Sequence, residues 1–267
     1  MNPSPSEGSL WLVARTLWYR EMLRFMRQRS RIIGAVATPL VFWIVIGSGF
    51  GRSFRPPGAA EGVTYLEYAL PGSLVLIVLF TSIFSTISTI EDRREGFLQS
   101  VLVAPASGAS IALGKILGAA SLGVVQALVF VILLPLVGVP LTILSAVATI
   151  ASLAAVSFGL AGMGFVLAWR MESTQGFHAV MNLLLMPMWL LSGAFFPPSG
   201  ASDWMVWIIR LNPLTYGVAL VRHSIYLSGS DPIGMLPSAT TCLLVTAVFA
   251  VVMFVIATAM TARPATC

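Results

Sequence analysis

From residue 116 through residue 169 the chain carries no charged side chain. A helix crosses a bilayer in about 20 residues, so this stretch is too long for one crossing and holds two. The break between them falls near Pro135–Pro140, where the prolines flank Gly138 and end a helix. The same logic applies elsewhere. Arg31 and Arg52 bracket one uncharged run, Glu67 and Glu91 a second, Glu172 and Asp203 another, and Asp231 and Arg263 the last. Charged residues are 9% of the 267 and mean hydropathy is +0.92, whereas soluble domains carry about 25% charge. A soluble enzyme, a nucleic-acid module and a disordered chain are thereby excluded, and lipid is the solvent.

The predicted fold class is an all-α membrane protein with six spans, at about 32–51, 69–90, 114–135, 142–169, 176–196 and 236–261. Barrel strands would alternate polar and apolar side chains over about 10 residues, and these runs do not. Residues 1–8 read as a disordered N-terminus, 9–31 as an amphipathic interfacial helix and 262–267 as a cytoplasmic tail. The opening MNPSPSEGS lacks a basic region before an apolar core, so no cleaved signal is expected.

Orientation follows the excess of Lys and Arg in cytoplasmic segments. With the N-terminus inside, the inner segments hold Arg15, Arg20, Arg24, Arg27, Arg29, Arg31, Arg93, Arg94, Lys115, Arg170 and Arg263. The outer segments hold the remainder of the 15, namely Arg52, Arg55, Arg210 and Arg222. Both termini are then cytoplasmic, in an inner membrane. The net charge of +5 addresses this membrane surface rather than nucleic acid.

In the 9–31 helix, Trp11, Trp18, Met22 and Phe25 recur at helical spacing, with Arg20, Arg24, Arg27 and Arg31 opposite. Such a helix rests in the headgroup plane. It is read as a surface anchor, as a lever on a cytoplasmic partner, or as both. The outer segment 197–235 holds Trp204, Trp207, Leu211, Tyr216 and Tyr226 with few charges. Two short re-entrant helices near 202–210 and 213–228, packed on spans five and six as a cap, satisfy its backbone at that depth.

Chemistry-bearing residues are sparse. Cys242, Cys267, His178 and His223 lie far apart, and no set has metal-ligand spacing. Gly108-Ala-Ser-Ile-Ala-Leu-Gly114-Lys115 imitates a phosphate loop, but it has five residues between its glycines where four are needed, and Ile116 where Ser or Thr is needed. The span cores hold no chain of carboxylates, which speaks against a proton-driven pump. Gly47-Ser48-Gly49 reads as close helix packing rather than a nucleophile.

Ser82, Ser85, Thr86 and Thr89 form a hydroxyl face in span two, and span five holds Asn182, Met186 and Pro187. Each set reads either as helix packing or as the lining of a pathway. The inner loop 91–105 combines dense charge of mixed sign, Glu91-Asp-Arg-Arg-Glu95-Gly96, with an apolar stripe of Phe97, Leu98, Val101 and Leu102. A short amphipathic helix ending before Pro105 follows. It is placed either to lie on the membrane or to dock a soluble subunit.

The order of these features resembles the membrane subunit of type-2 ABC export systems, and is most similar to subunits exporting drugs, antibiotics or lipo-oligosaccharides. The resemblance rests on Tyr68-Ala-Leu-Pro71-Gly72, on Glu91-Asp-Arg-Arg-Glu95-Gly96 with Ala104-Pro105, and on Gly114-Lys115. It continues in Leu191-Ser-Gly193-Ala-Phe-Phe196-Pro197 and Leu211-Asn212-Pro213-Leu214-Thr215-Tyr216. It implies a dimer, homomeric or heteromeric, served by separate ABC ATPase subunits that use ATP and Mg. This chain would bind no cofactor and would not be an enzyme. It assigns coupling to Glu91, Arg93, Arg94, Glu95, Gly96 and Phe97, and an ATPase-facing role to the helix carrying Trp18, Arg20, Arg24 and Arg27. Ser82, Ser85, Thr89, Asn182 and Met186 become pathway candidates for a hydrophobic or amphipathic substrate. A gradient-driven secondary transporter and a non-transporting scaffold remain the alternatives.

Overall fold

The computed structural model describes residues 7–27, 37, 41, 45, 65–103, 106–139, 141–194, 202–227 and 237–262, and no strand occurs among them. In chain order, α1 is Glu7–Arg27, α2 Tyr65–Ser85, α3 Ile87–Arg94, α4 Phe97–Val103 and α5 Gly108–Leu133. Then come α6 at Ile143–Arg170, α7 at Thr174–Leu190, α8 at Asp203–Leu211, α9 at Pro213–Ile225 and α10 at Ala239–Thr261. The first predicted span, 32–51, falls largely outside the described residues.

Local chemistry sets the helix ends. The Ser107 hydroxyl accepts from the Ser110 amide at the start of α5, and Thr142 with Ser145 forms a capping box at the start of α6. Between them a 3-10 turn, Leu134–Val137, ends at Gly138 with φ +88. That conformation suits glycine, which has no Cβ to clash. The break near Pro135–Pro140 is therefore a turn of four helical residues and one left-handed glycine.

Helices α2 and α3 together give one candidate span, Glu67–Arg94, of 28 residues. At 1.5 Å per residue it measures about 42 Å, longer than the roughly 30 Å hydrocarbon layer. The equivalents at Gly108–Leu136, Ile143–Arg170 and Ala239–Thr261 are also long and apolar enough to cross. Helix α7 has 17 residues and carries Pro187 in its last turn, so it falls short of the 176–196 span the sequence suggests. Helices α8 and α9 meet at 76°.

Helices α2, α5, α6, α9 and α10 form the bundle, with α1 laid against α5. The main core joins Leu74, Val78 and Ile83 of α2 to Phe130 of α5, Leu153 and Leu160 of α6, and Val221 of α9. Glycines permit the closest approaches. A Cβ on Gly164 would meet the Ile83 backbone at 3.1 Å, and one on Gly159 would meet Phe249 at 2.8 Å. Helix α10 buries Cys242, Thr246, Ala257 and Thr261 and exposes a long apolar face including Leu244, Val248 and Val255.

Two predictions need correction. The helix predicted from residue 9 already includes Glu7 and Gly8, so the N-terminal segment is helical from residue 7. Its faces also differ from the two-sided reading. Phe25 is buried with Ala14, Leu17 and Glu21, while Trp11 is exposed with Leu12, Tyr19 and Met26. By spacing Trp11, Trp18 and Phe25 share one face, on which Phe25 is buried, Trp18 is half-buried against α5 and Trp11 is exposed. Arg20 and Arg24 also turn toward the protein, because buried carboxylates await them there.

Candidate functional site

The two ends of the bundle hold its polar chemistry. At the end where α1, α3, α4 and α5 meet, here the charged end, Asp92 is sealed from solvent. Arg20 grips it with both guanidinium nitrogens, donating to Oδ2 and Oδ1 at 2.7 Å each. Arg24 donates to Asp92 Oδ1 at 3.0 Å and to Glu91 Oε2 at 2.8 Å. Lys115, buried on α5, donates to Asp92 Oδ2 and to Glu21 Oε1, the latter at 2.6 Å. Arg20, Arg24 and Lys115 therefore face Glu21, Glu91 and Asp92, three charges of each sign, with the exposed Glu95 a further 3.8 Å from Arg24. Hydrogen bonding to Asp92 holds the Arg20 guanidinium above its ordinary pKa, against the opposing effect of burial.

Why α1 can deliver these side chains is visible on α5. Gly114 and Gly118 lie one turn apart, and a Cβ on Gly114 would meet the Ala14 carbonyl at 2.7 Å and Leu17 Cβ at 2.8 Å. On Gly118 it would meet Glu21 Cβ at 2.8 Å. The small-xxx-small pair lets the two backbones approach, and this approach brings Glu21 to Lys115. Trp18 fixes the register, donating to Ser121 Oγ at 3.0 Å.

Helix α4 is attached to the same cluster. Gly96, with φ +78, makes the turn between α3 and α4. Phe97 then sits under the Arg20 guanidinium, 3.8 Å from its ring centre, and Leu98 is buried with Leu17 and Ile111. Arg93 donates to the Trp169 carbonyl and lies over its ring at 5.4 Å. Arg94, Glu95, Gln99, Ser100, Leu102 and Val103 remain exposed.

The far end joins α2, α7 and α9. Pro71 lacks the N–H that would reach the Glu67 carbonyl, and Tyr226 donates to that carbonyl instead at 3.2 Å. Arg222 donates to the Tyr68 carbonyl at 2.9 Å, and Tyr68 Oη donates to the Gly193 carbonyl at 3.0 Å. Trp189 Nε1 donates to the Gly72 carbonyl at 2.9 Å. Asn212 Nδ2 donates to the Met188 and Leu191 carbonyls, at 2.6 and 3.2 Å. These are carbonyls that the end of α7 leaves without helical partners. Arg222 is 2% exposed, its Nε has no partner, and among the described residues no carboxylate forms an ion pair with it.

Residues 13–226 match the family described as ABC-2 type transporter. The chain belongs to that family. Nodulation protein J of Rhizobium meliloti is 24% identical over 262 residues, covering 97% of this chain and 95% of that protein. Nodulation protein J of Rhizobium leguminosarum bv. viciae is 26% identical over 266 residues, covering 97% and 96%. Inner membrane transport permease YadH of Escherichia coli O157:H7 is 25% identical over 218 residues, covering 80% and 82%. The family makes this chain a multi-pass membrane protein and a transport permease subunit, whose general partner is an ABC ATPase.

In this ABC-2 permease the residues assigned to coupling divide. Glu91, Arg93 and Phe97 are engaged within the chain, Gly96 makes a turn, and Arg94 and Glu95 are exposed, Glu95 lying 3.8 Å from Arg24. The pathway candidates divide too. Ser82 is buried and shares a hydrogen bond of 2.7 Å with Ser157, which donates onward to the Ala120 carbonyl. Thr89 is buried, its hydroxyl without a partner. Ser85 is half-buried, while Asn182 and Met186 are exposed on α7 together with His178, whose ring stacks on Phe84 at 4.8 Å. Ser82 and Thr89 thus sit between helices, away from the face that presents Asn182.

Sequence reasoning missed Asp92, Glu21, Lys115 and Arg222. The Gly114-x-x-x-Gly118 spacing was the available signal for Lys115, since a lone lysine beside a helix-packing motif needs a carboxylate from the helix that packs there. The false phosphate loop obscured it. Nothing local marked Arg222.

Proposed function

We propose that this permease is the membrane half of an ATP-driven exporter, with the charged end cytoplasmic and the far end outside. One observation carries the reading: α4 projects from a fully compensated ionic cluster with its outward edge uncovered. A partner that displaces this edge moves α1, α3 and α5 together, since Asp92 ties all of them. Arg94, Glu95, Gln99, Leu102 and Val103 offer mixed charge and apolar surface to a separate ATPase subunit. Glu91, Arg93 and Phe97 transmit the displacement inward rather than touching the partner.

The chain itself breaks no bond. Its contribution is a difference in substrate affinity between two conformations, which the ATPase alternates. Of the pathway candidates, Ser85, Asn182 and Met186 suit that role. An amide facing acyl chains is costly, which supports a second permease copy or a substrate path against α7. The six-span count completes this topology, with residues 32–51 and α7 as the two further crossings. The substrate class is a hydrophobic or amphipathic molecule.

The test is co-expression with the ATPase encoded beside it, purification through a tag on the permease, and ATP hydrolysis measured in lipid. Arg94→Ala with Val103→Asp is expected to lose the ATPase while thermal unfolding stays unchanged. Full retention and hydrolysis in that variant would remove the coupling role from α4. Transport that collapses with the proton gradient and ignores ATP would replace the reading with a secondary transporter.

A further inference from the structure

By length Glu67–Arg94 is one span, yet its hydrogen-bond ladder is interrupted at Thr86, between α2 and α3. The Thr86 amide reaches back three residues, to the Ile83 carbonyl at 3.0 Å, and the Thr89 amide does the same to the Thr86 carbonyl at 2.9 Å. The Thr86 hydroxyl donates to the Ile83 carbonyl as well, at 2.6 Å. An α-helix bonds four residues back, so this is a turn of 3-10 geometry, which inside a long helix often marks a hinge. Helices kink at proline, at glycine or where a side chain enters the ladder. No glycine or proline lies between Gly72 and Gly96, so the threonine hydroxyl is the cause.

The break falls where three helices come closest. A Cβ on Gly164 of α6 would meet the Thr86 hydroxyl oxygen at 2.9 Å and Ile83 Cα at 3.1 Å. One turn toward the far end, a Cβ on Gly123 of α5 would run into Ser82 Oγ and lie 2.6 Å from Ser157 Oγ. Ser82 and Ser157 share a hydrogen bond across the same gap. On the charged side of this layer α3 carries Asp92, which is bound to α1 and α5. On the other side Trp189 holds α2 at the Gly72 carbonyl.

We infer that span two is a hinged rod: α3 tilts with the ion cluster about Thr86, the layer of Gly123, Ser157 and Gly164 is the fulcrum, and α2 keeps its place. The buried Thr89 hydroxyl has no partner, which is costly. A tilt that closes the 3-10 turn into α geometry gives it the Ser85 carbonyl, four residues back. Bent and straight forms of the span therefore exchange one hydroxyl bond, Thr86 to Ile83, for another, Thr89 to Ser85. Ser85 is the last residue of α2, so the bend sits beside a pathway candidate. The inference rests on the ATPase reading for what pushes α3, and not for the hinge itself.

The test measures distances between nitroxide pairs in the full chain in nanodiscs, in a Cys242→Ser, Cys267→Ser background and a large excess of unlabelled chain. Ser100→Cys with Ile143→Cys reports the α3–α4 arm against α6. Glu67→Cys with Arg170→Cys reports α2 against α6. In the permease alone the first pair should give two distances, which Thr86→Ala reduces to one and Thr86→Ser preserves. Trapping the co-expressed ATPase with vanadate should shift the first pair and leave the second in place. Helix α3 has 8 residues, about 12 Å of lever, so a tilt of about 15° moves its end by about 3 Å. Thr86→Ala should abolish that shift, and so should Gly164→Ala, whose Cβ wedges the fulcrum against the Ile83 backbone. Equal shifts in both pairs overturn the inference, since span two then moves as one rod. A first pair that behaves alike in wild type and Thr86→Ala, with and without the ATPase, overturns it too. Two distances that Thr86→Ala reduces to one, with no response to the ATPase, leave the hinge standing and strike the ATPase reading instead.

Discussion

The charged end and the far end are closed by different physics. At the charged end Arg20, Arg24 and Lys115 share Glu21, Glu91 and Asp92; Asp92, Glu21 and Lys115 are out of water because the partly exposed Arg20, Arg24 and Glu91 close over them. At the far end, neutral donors and a single buried arginine meet backbone carbonyls one at a time. A compensated ion cluster fails as a unit, since removing one charge strands the rest at about 3–5 kcal/mol. A set of carbonyl caps comes apart bond by bond, at about 1 kcal/mol each.

The largest effect should come from breaking the cluster at its centre. Asp92→Ala leaves Arg20, Arg24 and Lys115 short of a counter-charge, and a loss of about 3–5 kcal/mol is expected, seen as a large fall in Tm in detergent. Adding Lys115→Met to the same chain should restore part of it, because the most buried cation leaves with its partner. If Asp92→Ala unfolds within a degree of the wild type, the cluster is not a unit and the comparison of ends collapses.

Next in size is Gly114→Val. Its Cβ would meet the backbone carbonyl of Ala14, which cannot rotate away, so α1 must move off α5. Such overpacking costs about 1–3 kcal/mol. The expected signature is local: limited proteolysis cuts within residues 7–27 while the remaining helices stay protected. Cleavage spread over the whole chain would mean that α1 is held by something other than this approach.

At the far end Asn212→Ala removes the donors to Met188 and Leu191 together with the side-chain cap on the Leu214 amide. Lost caps and hydrogen bonds of this kind cost about 1–2 kcal/mol, which is smaller than Asp92→Ala. A Tm loss matching that of Asp92→Ala would show the far end to be as cooperative as the charged end.

The sequence announced the helices more readily than the contacts between them. Uncharged runs bounded by Arg31, Glu67, Arg170 or Arg263 follow from the thickness of the bilayer, and the Pro135–Pro140 break follows from backbone sterics. Residues 202–210 and 213–228 could be read as short helices because Pro213 and the tryptophans punctuate them, and the structure has Asp203–Leu211 and Pro213–Ile225 there. Pairing is a tertiary matter. Asp92 sits beside Glu91 in the chain, yet Asp92 is sealed and Glu91 is half-exposed, because a step of 100° around α3 turns one toward α5 and the other toward its rim. Ser82 and Ser85 differ for the same reason. The motifs at Tyr68–Gly72, Leu191–Ala194 and Leu211–Tyr216 looked like separate signatures in the sequence. In the fold they are one hydrogen-bonded cluster, which explains why they occur together.

Arg222→Met should have the smallest effect, and it is the sharpest test of the comparison. The wild-type guanidinium gives one hydrogen bond to the Tyr68 carbonyl and lies 4.6 Å from the Tyr68 ring centre. A cation over an aromatic ring contributes about 0.5–2 kcal/mol, and a hydrogen bond from a charged donor about 1.5–3 kcal/mol. Against them stands a buried charge with an orphaned Nε and no carboxylate paired to it among the described residues, a burden that methionine of similar length removes. These opposing contributions are of the same size, so the net change is expected within about 1 kcal/mol in either direction. Measured beside Asp92→Ala under the same conditions, a near-neutral Arg222→Met shows that removing a charge is costly where it strands others and not where it is alone. A loss as large as that of Asp92→Ala would mean that Arg222 is paired after all, and the two ends would then be governed by the same electrostatics.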